Sequence, residues 1–216
     1  MTTTRMTRVE RKQQTRAHLI ETARDVFLRR GFHDATLDEI AEEAGFTKGA
    51  IYSNFEGKDG LFLEVLDVQI ERRWQTDMRA ALAAGTLEAA FRAVARNLIE
   101  ASREAPRWMP VLMEFWTHAS SNPELRAQVS ERHERNLDWV AGIITELAAR
   151  HEVEFRLPTR EVGRGAAGLA RGMALERLLD SDGKAMDFEE MFVSFVMGFT
   201  NEKVAAIDGS GERRGG

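Results

Sequence analysis

The sequence contains no cysteine, no long hydrophobic run and no overall excess of positive charge. Without cysteine the chain cannot form disulfides, thiolate nucleophiles or zinc sites built on sulfur, and this absence fits a reducing compartment. The apolar stretch 191–199 is interrupted by Ser194 and is much shorter than the roughly 20 residues that span a bilayer. We therefore expect a cytoplasmic protein with neither a signal peptide nor a membrane span.

The sequence also has very few segments with the alternating pattern of a β-strand. The long segments place apolar residues three and four positions apart, which is typical of helices. Only Val153, Phe155 and Leu157 alternate as a strand would, and Pro158 ends the pattern at once, so we interpret this stretch as a loop. With 43% apolar and 30% charged residues in 216, the chain is long enough to bury a real core. The sequence predicts an all-α fold.

Motifs for catalysis and for cofactors are weak. Gly163, Gly165 and Gly168 match a dinucleotide-binding fingerprint, but that motif needs a parallel sheet that the rest of the chain does not offer. His118 follows Glu114 by four residues and could bind a metal only with further ligands, so a surface or core position is the favoured interpretation. We expect no catalytic residues, no metal and no cofactor, and hence no enzyme.

Helix boundaries can be placed from capping and breaking residues. The first helix is predicted to begin at Arg11 and to stop at Gly31. Later helices are predicted to start at Thr86, at Asn122 with Pro123 in its first turn, over 159–179, and at Asp187 with Glu190 three residues on.

Residues 36–61 are typical of a helix-turn-helix. Thr36 can cap a short helix whose apolar face includes Ile40, and Gly45 supplies the stop because only glycine adopts the left-handed conformation cheaply. Thr47 is placed to cap a second helix, 48–55, which turns Ile51 and Phe55 inward and leaves a small, polar outer face.

This region resembles the DNA-binding domain of the tetracycline-repressor (TetR/AcrR-type) family of bacterial transcriptional regulators. The resemblance covers roughly residues 16–66, and it rests on an ordered set: Ala23, Phe27, Gly31-Phe32, Thr36, Ile40-Ala41, Ala44-Gly45, Lys48-Gly49, Tyr52, Phe55, Lys58 and Leu61-Phe62. It implies an N-terminal three-helix DNA-binding domain (1–60) and a larger C-terminal helical domain for ligand binding and dimerisation (61–207). Residues 208–216 are expected to form a disordered tail.

The helix-turn-helix supplies candidate DNA contacts. Thr36, Tyr52 and Lys58 are expected to hold phosphates through hydroxyl groups or charge. The expected contacts to base edges come from the second helix, with Ser53 on the same surface: Thr47, Lys48, Gly49, Ala50 and Asn54.

Charge is divided unevenly along the chain. The net charge is −5, yet residues 1–35 hold eight basic and four acidic side chains, a net +4, and the remaining 181 residues carry −9. A basic arm of this kind can neutralise DNA phosphates beside a helix-turn-helix. The alternative is a solvated tail that has no role; the basic residues of the arm begin with Arg5.

Resemblance to the family also implies a small-molecule site and a dimer. The candidate ligand contacts are Trp74, Met78, Phe91, Trp108, Met109, Met113, Glu114, Trp116, His118, Met173 and Glu176, although large apolar side chains at this spacing also suit a plain core. Two final helices, at about 159–180 and 187–207, are expected to pair with a second subunit, or else to pack only within one subunit.

The sequence therefore predicts a homodimeric, ligand-responsive regulator that binds a palindromic operator in double-stranded DNA and is released by a small apolar or amphipathic molecule. Repression is favoured, with activation left open. The alternative is a small-molecule-binding or scaffold protein of the same helical fold without specific DNA binding.

Overall fold

A computed structural model describes residues 7–179 and 187–201. This part of the chain is helical, and its regular elements are α1 (Arg8–Arg30), α2 (Leu37–Glu43), α3 (Lys48–Tyr52), α4 (Gly57–Leu82), α5 (Leu87–Glu104), α6 (Trp108–Ser120), α7 (Pro123–Arg150), α8 (Thr159–Glu176) and α9 (Phe188–Met197). None of these helices is both long enough and apolar enough to cross a membrane. The all-α prediction is confirmed.

The first helix begins earlier than its apolar pattern indicates. Thr7 accepts a hydrogen bond from the Glu10 backbone N–H at 3.2 Å, and Glu10 accepts one from the Thr7 N–H at 2.7 Å. This reciprocal capping box starts α1 at Arg8. The predicted start at Arg11 is therefore wrong by three residues, because the exposed first turn has no apolar face to signal it.

The other predicted starts are confirmed. The side chains of Thr86, Asn122 and Asp187 each accept a hydrogen bond from a backbone N–H in the first turn of α5, α7 and α9. The glycine fingerprint at 163–168 lies inside α8, so it cannot form a phosphate-binding turn. Residues 151–158 form a loop, with one isolated bridge between Phe155 and Thr200.

Two apolar clusters organise the described residues. The first joins α1, α2 and α3 to the first turns of α4, to α6 and to the start of α7. The second joins the later turns of α4 to α5, α8, α9 and the end of α7. We call residues 7–66 the head and the other described residues the body. Helix α4 connects them because its two halves belong to different clusters.

The first cluster crosses from the head into the body. Phe115 of α6 packs against Phe62 of α4, with ring centroids 4.3 Å apart, and against Phe32 of the α1–α2 turn at 5.0 Å. Phe27 of α1 contacts both Phe32 and Phe62. These side chains are almost completely buried, so α6 forms part of the core of the head.

Several predictions fall on residues that the structure does not describe. They are the basic side chain of Arg5, the last residue of the helix predicted to end at 180, residues 202–207 of the last helix, and the tail at 208–216. The division of the chain at residue 60 stays a prediction; the first apolar cluster continues past it through Leu61, Phe62 and Leu66.

Candidate nucleic-acid interface

A short helix, a glycine turn and a second short helix form the candidate interface. The Thr36 side chain accepts a hydrogen bond from the Glu39 N–H at 3.1 Å and so caps α2. Gly45 has φ +70°, and the following Phe46 N–H donates back to the Ala41 carbonyl at 2.8 Å. This closes α2 in the way that the glycine predicts, and it turns the chain into α3.

Helix α3 is shorter than the sequence suggests. It ends at Tyr52, not at Phe55, and Thr47 occupies the N-cap position with an extended backbone but makes no side-chain hydrogen bond. The predicted position of Thr47 as the cap of α3 is therefore confirmed, although its side chain does not bind the first turn. Beyond the helix, Ser53 Oγ and Asn54 Nδ2 both donate to the Ala50 carbonyl, at 2.9 Å and 2.7 Å. The backbone N–H groups of Ser53 and Phe55 still donate to the carbonyls of Gly49 and Ile51, at 3.0 Å and 2.8 Å, so the chain continues as a turn.

The residues predicted to meet DNA lie mainly on the accessible side of this unit. Ile51 is fully buried and Phe55 is 6% exposed, whereas Tyr52 is 58% exposed. The other predicted contacts are exposed or half-buried: Thr36, Thr47, Lys48, Gly49, Ala50, Ser53, Asn54 and Lys58. The core anchors and the outer surface therefore separate as the helical spacing predicts.

Lys48 is held by the neighbouring helix. Its Nζ lies 2.7 Å from Asp38 Oδ2, and this bond raises the pKa of the Lys48 ammonium. Both side chains are well exposed, so the pair can open at little cost when another acceptor approaches.

An open groove of about 760 Å³ runs between the start of α1 and the end of α3. It is lined by Arg8, Val9, Lys12, Gln13, Arg16, Ser53 and Asn54. Arg8, Arg11 and Lys12 are exposed, and none of them forms an ion pair within the described residues. Reasoning from apolar spacing missed the structural role of this turn, which the Thr7–Glu10 capping pattern could have predicted.

Lys58 points inward and holds a turn. Its ammonium donates to the carbonyls of Phe32, His33 and Ala35, at 2.9, 2.9 and 3.1 Å, and burial lowers its pKa. A lysine ammonium has three hydrogens, and all three have acceptors here. In this conformation Lys58 binds the backbone between α1 and α2, so its predicted phosphate contact would require these bonds to break.

Glu114 of α6 binds the opposite groups of the same turn. Its carboxylate accepts from the Phe32 N–H at 2.8 Å and lies 3.4 Å from the His33 N. Gly31 has φ +87°, and a Cβ there would lie 2.9 Å from Glu114 Oε2, so glycine is required. His118 lies 3.2 Å from Asp59. Two side chains predicted to bind a ligand thus attach α6 to the head.

The predicted ligand contacts do not gather in one place. Trp108, Met109, Met113 and Trp116 pack against the first cluster. Trp74, Met78, Phe91 and Met173 belong to the second cluster or pack against it, and Glu176 is exposed at the end of α8. Of the apolar members, Phe91 and Met173 are buried, and the other six are half-buried against one cluster or the other. The predicted contacts are thus divided between the two clusters.

Comparison with known proteins agrees with this architecture. The sequence profile described as "Bacterial regulatory proteins, tetR family" matches residues 19–65, and that of "BetI-type transcriptional repressor, C-terminal" matches residues 87–197. The HTH-type transcriptional regulator SrpR of Pseudomonas putida is 26% identical over 188 residues, which cover 85% of this chain and 84% of SrpR.

Solved structures share the fold at low sequence identity. The transcriptional regulator FadR of Bacillus subtilis in complex with stearoyl-CoA aligns with a TM-score of 0.67 and 19% identity, covering 83% of this chain and 95% of FadR. A transcriptional regulator from Saccharomonospora viridis in complex with choline aligns with a TM-score of 0.68 and 18% identity, covering 88% of this chain and all of the other.

The two sequence profiles match two different parts of the structure. One covers the helix-turn-helix and its supporting helix, and the other covers α5 to α9 and more than half of the sequence. These relatives are transcriptional regulators. The chain therefore belongs to the TetR family of bacterial transcriptional regulators.

Proposed function

We propose that the protein is a homodimeric repressor that binds a palindromic DNA operator and is released by a small apolar or amphipathic molecule. The observation that carries the proposal is the surface of α3, whose polar residues are accessible while Ile51 and Phe55 anchor it in the head. A domain boundary near residue 60, with a DNA-binding part before it and a ligand-binding and dimerisation part from 61 to 207, belongs to this proposal.

Helix α3 would enter the major groove by its first turns. Five residues extend about 7.5 Å at about 1.5 Å per residue, which fits within a groove about 12 Å wide. Thr47, Lys48, Gly49 and Ala50 would face base edges. Lys48 would exchange Asp38 for a base or phosphate, because exposed ion pairs are easily replaced.

Phosphate contacts would flank this helix. The hydroxyl groups of Thr36 and Tyr52 are accessible, and the turn formed by Ser53 and Asn54 borders the groove that Arg8 and Lys12 line. Unpaired cations beside a recognition helix are suited to the duplex backbone. In this proposal Arg8 and Lys12 take the electrostatic role that the sequence alone would give to Lys58.

Ligand sensing would reside in the body. The two related folds described above were solved with stearoyl-CoA and with choline, so the fold can hold molecules of very different charge. A ligand that favours one spacing of the two heads over another would change operator affinity, because both heads must fit successive major grooves about 34 Å apart. Helix α4, which begins at Gly57, would transmit the change.

A dimer would form through α8 and α9. Some small residues of α8 serve packing within the subunit, since a Cβ on Gly163 would lie 2.8 Å from Val140 and one on Gly165 2.8 Å from Phe195. Gly168 and Gly172 differ, with nothing within 4 Å of their Cβ positions. That open face of α8 would let a second subunit's backbone come close.

The experiment that tests the proposal selects bound fragments from a randomised DNA pool and titrates the enriched fragment by fluorescence anisotropy at two salt concentrations. Enrichment of a two-fold symmetric site, bound more weakly at higher salt, would support it. A double variant, Lys48→Ala with Tyr52→Ala, is the control, and it should lose selective binding while keeping its helical circular dichroism. Absence of any enriched sequence would contradict DNA recognition by this chain.

A further inference from the structure

Arg171 of α8 is a half-buried cation that pairs with no anion among the described residues. Burial lowers the pKa of its guanidinium, and no neighbouring carboxylate opposes that effect. Within residues 7–179 and 187–201 it forms neither an ion pair nor a hydrogen bond, and its only recorded partner is the ring of Trp116, whose centroid lies 5.5 Å from Cζ. Removing a guanidinium from water without pairing it is costly, so proteins rarely retain such a group without a use.

Two other arginines of α8 form ion pairs with carboxylates of α7. Arg160 lies 2.7 Å from both Glu134 and Asp138, and Arg164 lies 3.5 Å from Glu134. Arg171 follows Arg164 by seven residues, two turns further on the same side of α8. Glu134 and Asp138 of α7 thus pair with Arg160 and Arg164, whereas no carboxylate of the described residues pairs with Arg171.

A second unpartnered donor lies beside Arg171. The indole Nε1 of Trp116 is buried and has no hydrogen-bond acceptor within the described part of the chain. An indole nitrogen can only donate, so this group also calls for an acceptor. The guanidinium over the Trp116 ring and the indole N–H of that ring are therefore two donors, on α8 and α6, that have no acceptor among the described residues.

His133 of α7 lies next to Trp116 and Arg171. Its ring contacts Trp116 edge-on, with centroids 5.8 Å apart, and burial and the nearby Arg171 lower its pKa. An uncharged imidazole adds little positive charge near neutral pH but can donate one N–H. Among the charged groups that act on His133, Arg171 has the largest effect, Arg164 and Arg160 act in the same direction, and Glu134 opposes them.

We propose that Arg171 and the indole N–H of Trp116 bind the anionic head, a carboxylate or a phosphate, of an amphipathic effector held between α6, α7 and α8. This inference rests on the proposed function and adds the charge of the effector. A cationic effector would be repelled by Arg171, and a neutral one would leave the guanidinium uncompensated. Met109 and Met113 of α6 and the ring of Trp116 offer apolar surface to the rest of the molecule.

A carboxylate from a second subunit does not explain these groups as well. Arg171 lies over Trp116 of its own subunit, on the side of α8 that faces α6 and α7, whereas Gly168 and Gly172 have open space at their Cβ positions. Gly172 lies about 100° around α8 from Arg171, whereas Gly168, three residues before Arg171, borders the side that carries it. The guanidinium of Arg171 is already covered by Trp116 of its own subunit.

The test compares matched amphiphiles on the intact protein. Isothermal titration would measure binding of fatty carboxylates from octanoate to palmitate, of alkyl phosphates, of primary alcohols and of alkyl trimethylammonium ions of equal chain length. The expected order is anion above alcohol above cation, and the better of the two anion series identifies the head group. Alcohols or cations that bind as tightly as the anions would overturn the inference.

Variants assign the effect to the named groups. Arg171→Met should weaken anion binding about 10-fold to 100-fold, as expected for a charged hydrogen-bonded pair, and leave alcohol binding unchanged, with Arg171→Lys in between. Trp116→Phe should weaken it about 3-fold to 10-fold. Arg164→Met removes the same charge from the same helix but from a paired position, and it should change binding by less than about twofold.

Thermal denaturation separates a ligand site from a structural role. Without ligand, Arg171→Met should melt no lower than the native protein, because an unpaired buried charge is removed; with ligand it should lose the added stability. A variant that melts lower without ligand and binds anions normally would overturn the inference. Release of the operator by neutral or cationic molecules, if Arg171→Met does not affect it, would also overturn the inference about Arg171. That result would still support the proposed ligand-responsive regulator. Operator binding that no tested molecule affects would contradict ligand-responsive release itself.

Discussion

At the scale of single residues, the structure gives several polar side chains tasks that their type does not reveal. Lys58 looks like a surface cation near DNA, yet its three hydrogens bind backbone carbonyls of the head. Glu114 looks like a polar group in an apolar helix, yet it caps backbone N–H groups of the same turn. Neither task could be predicted from sequence, because each joins residues that are more than twenty positions apart.

Asp77 of α4 gives a prediction about pH and stability. Burial raises the pKa of its carboxyl from 3.8 to about 6, against the opposing effects of Arg73 and of a hydrogen bond from Asn97. The native state therefore keeps a proton that the unfolded chain releases, so this group lowers stability as pH rises from about 4 to about 6. Asp77→Asn should raise the free energy of unfolding at pH 8 by about 1–3 kcal/mol.

Denaturant titration at several pH values would check this. The gain from Asp77→Asn should be full well above pH 6 and should shrink towards about pH 3, below the ordinary carboxyl pKa of 3.8, where the carboxyl is neutral in the folded and in the unfolded state. Asp34→Asn, at an exposed carboxyl in the α1–α2 turn, is the control. A gain that does not depend on pH would show that the amide improves packing and not charge.

Tyr52 gives a prediction about DNA affinity. Its side chain is 58% exposed beside Ile51, which is fully buried, so losing the hydroxyl should leave the fold intact. Tyr52→Phe should weaken binding to every DNA sequence alike, by about fivefold, because a phosphate contact carries no sequence information. Anisotropy titrations against the selected operator and single-base variants would measure this, and a loss confined to particular bases would refute the phosphate role.

At the scale of elements, apolar spacing predicted what is buried, and capping residues decided where helices start. The helices from Thr86, Asn122 and Asp187 begin as predicted because each has both signals. Helix α1 shows the opposite case, since its first turn is exposed and only the Thr7–Glu10 pair marks it. The early end of α3 has no such mark, because Ile51 and Phe55 stay four residues apart and buried although the helix ends at Tyr52.

The first turn of α1 gives a prediction about salt dependence. Arg8→Gln and Lys12→Gln should each reduce the slope of log affinity against log salt by about one, because each removes one phosphate contact. Thr7→Ala should weaken operator binding by a few-fold through fraying of this turn, since loss of an N-cap costs about 1 kcal/mol. Arg135→Gln, which removes a cation paired with Asp67 in the body, should leave the slope unchanged.

At the scale of the whole molecule, the family and the fold followed from the sequence, whereas the sharing of α6 between head and body did not. The ordered motif of residues 16–66 identified the helix-turn-helix, and a set of aromatic residues in α6 suggested a ligand pocket. In the structure Phe115, Glu114 and His118 of that helix attach to the head. Spacing within one helix shows which residues share a face, but it does not show which partner that face meets.

The proposed dimer gives a prediction at this scale. Gly172 of α8 is exposed and has open space at its Cβ position, so a charged side chain fits in an isolated subunit but would be buried against a partner. Gly172→Glu should raise the dimer dissociation constant at least tenfold. Gly142→Glu makes the same change at an exposed glycine of α7 and is the control.

Analytical ultracentrifugation would measure both variants. Gly142→Glu should sediment as the native protein does, and circular dichroism should show that neither variant has lost helix content. If Gly172→Glu remains a dimer at native concentrations, the subunit interface lies elsewhere than the outer face of α8.

The two charged groups that hold the α1–α2 turn also bear on protein engineering. Glu114 binds its N–H groups from α6 and Lys58 binds its carbonyls from α4, so the loop has one anchor on each side of any cut near residue 60. Chimeric regulators that graft this DNA-reading unit onto a foreign sensor would therefore inherit a loose loop unless the sensor supplies a glutamate at the position of Glu114 and an aromatic residue at that of Phe115. To exchange DNA specificity successfully, an engineer would have to transfer the α6 side chains that contact the turn together with the N-terminal helices.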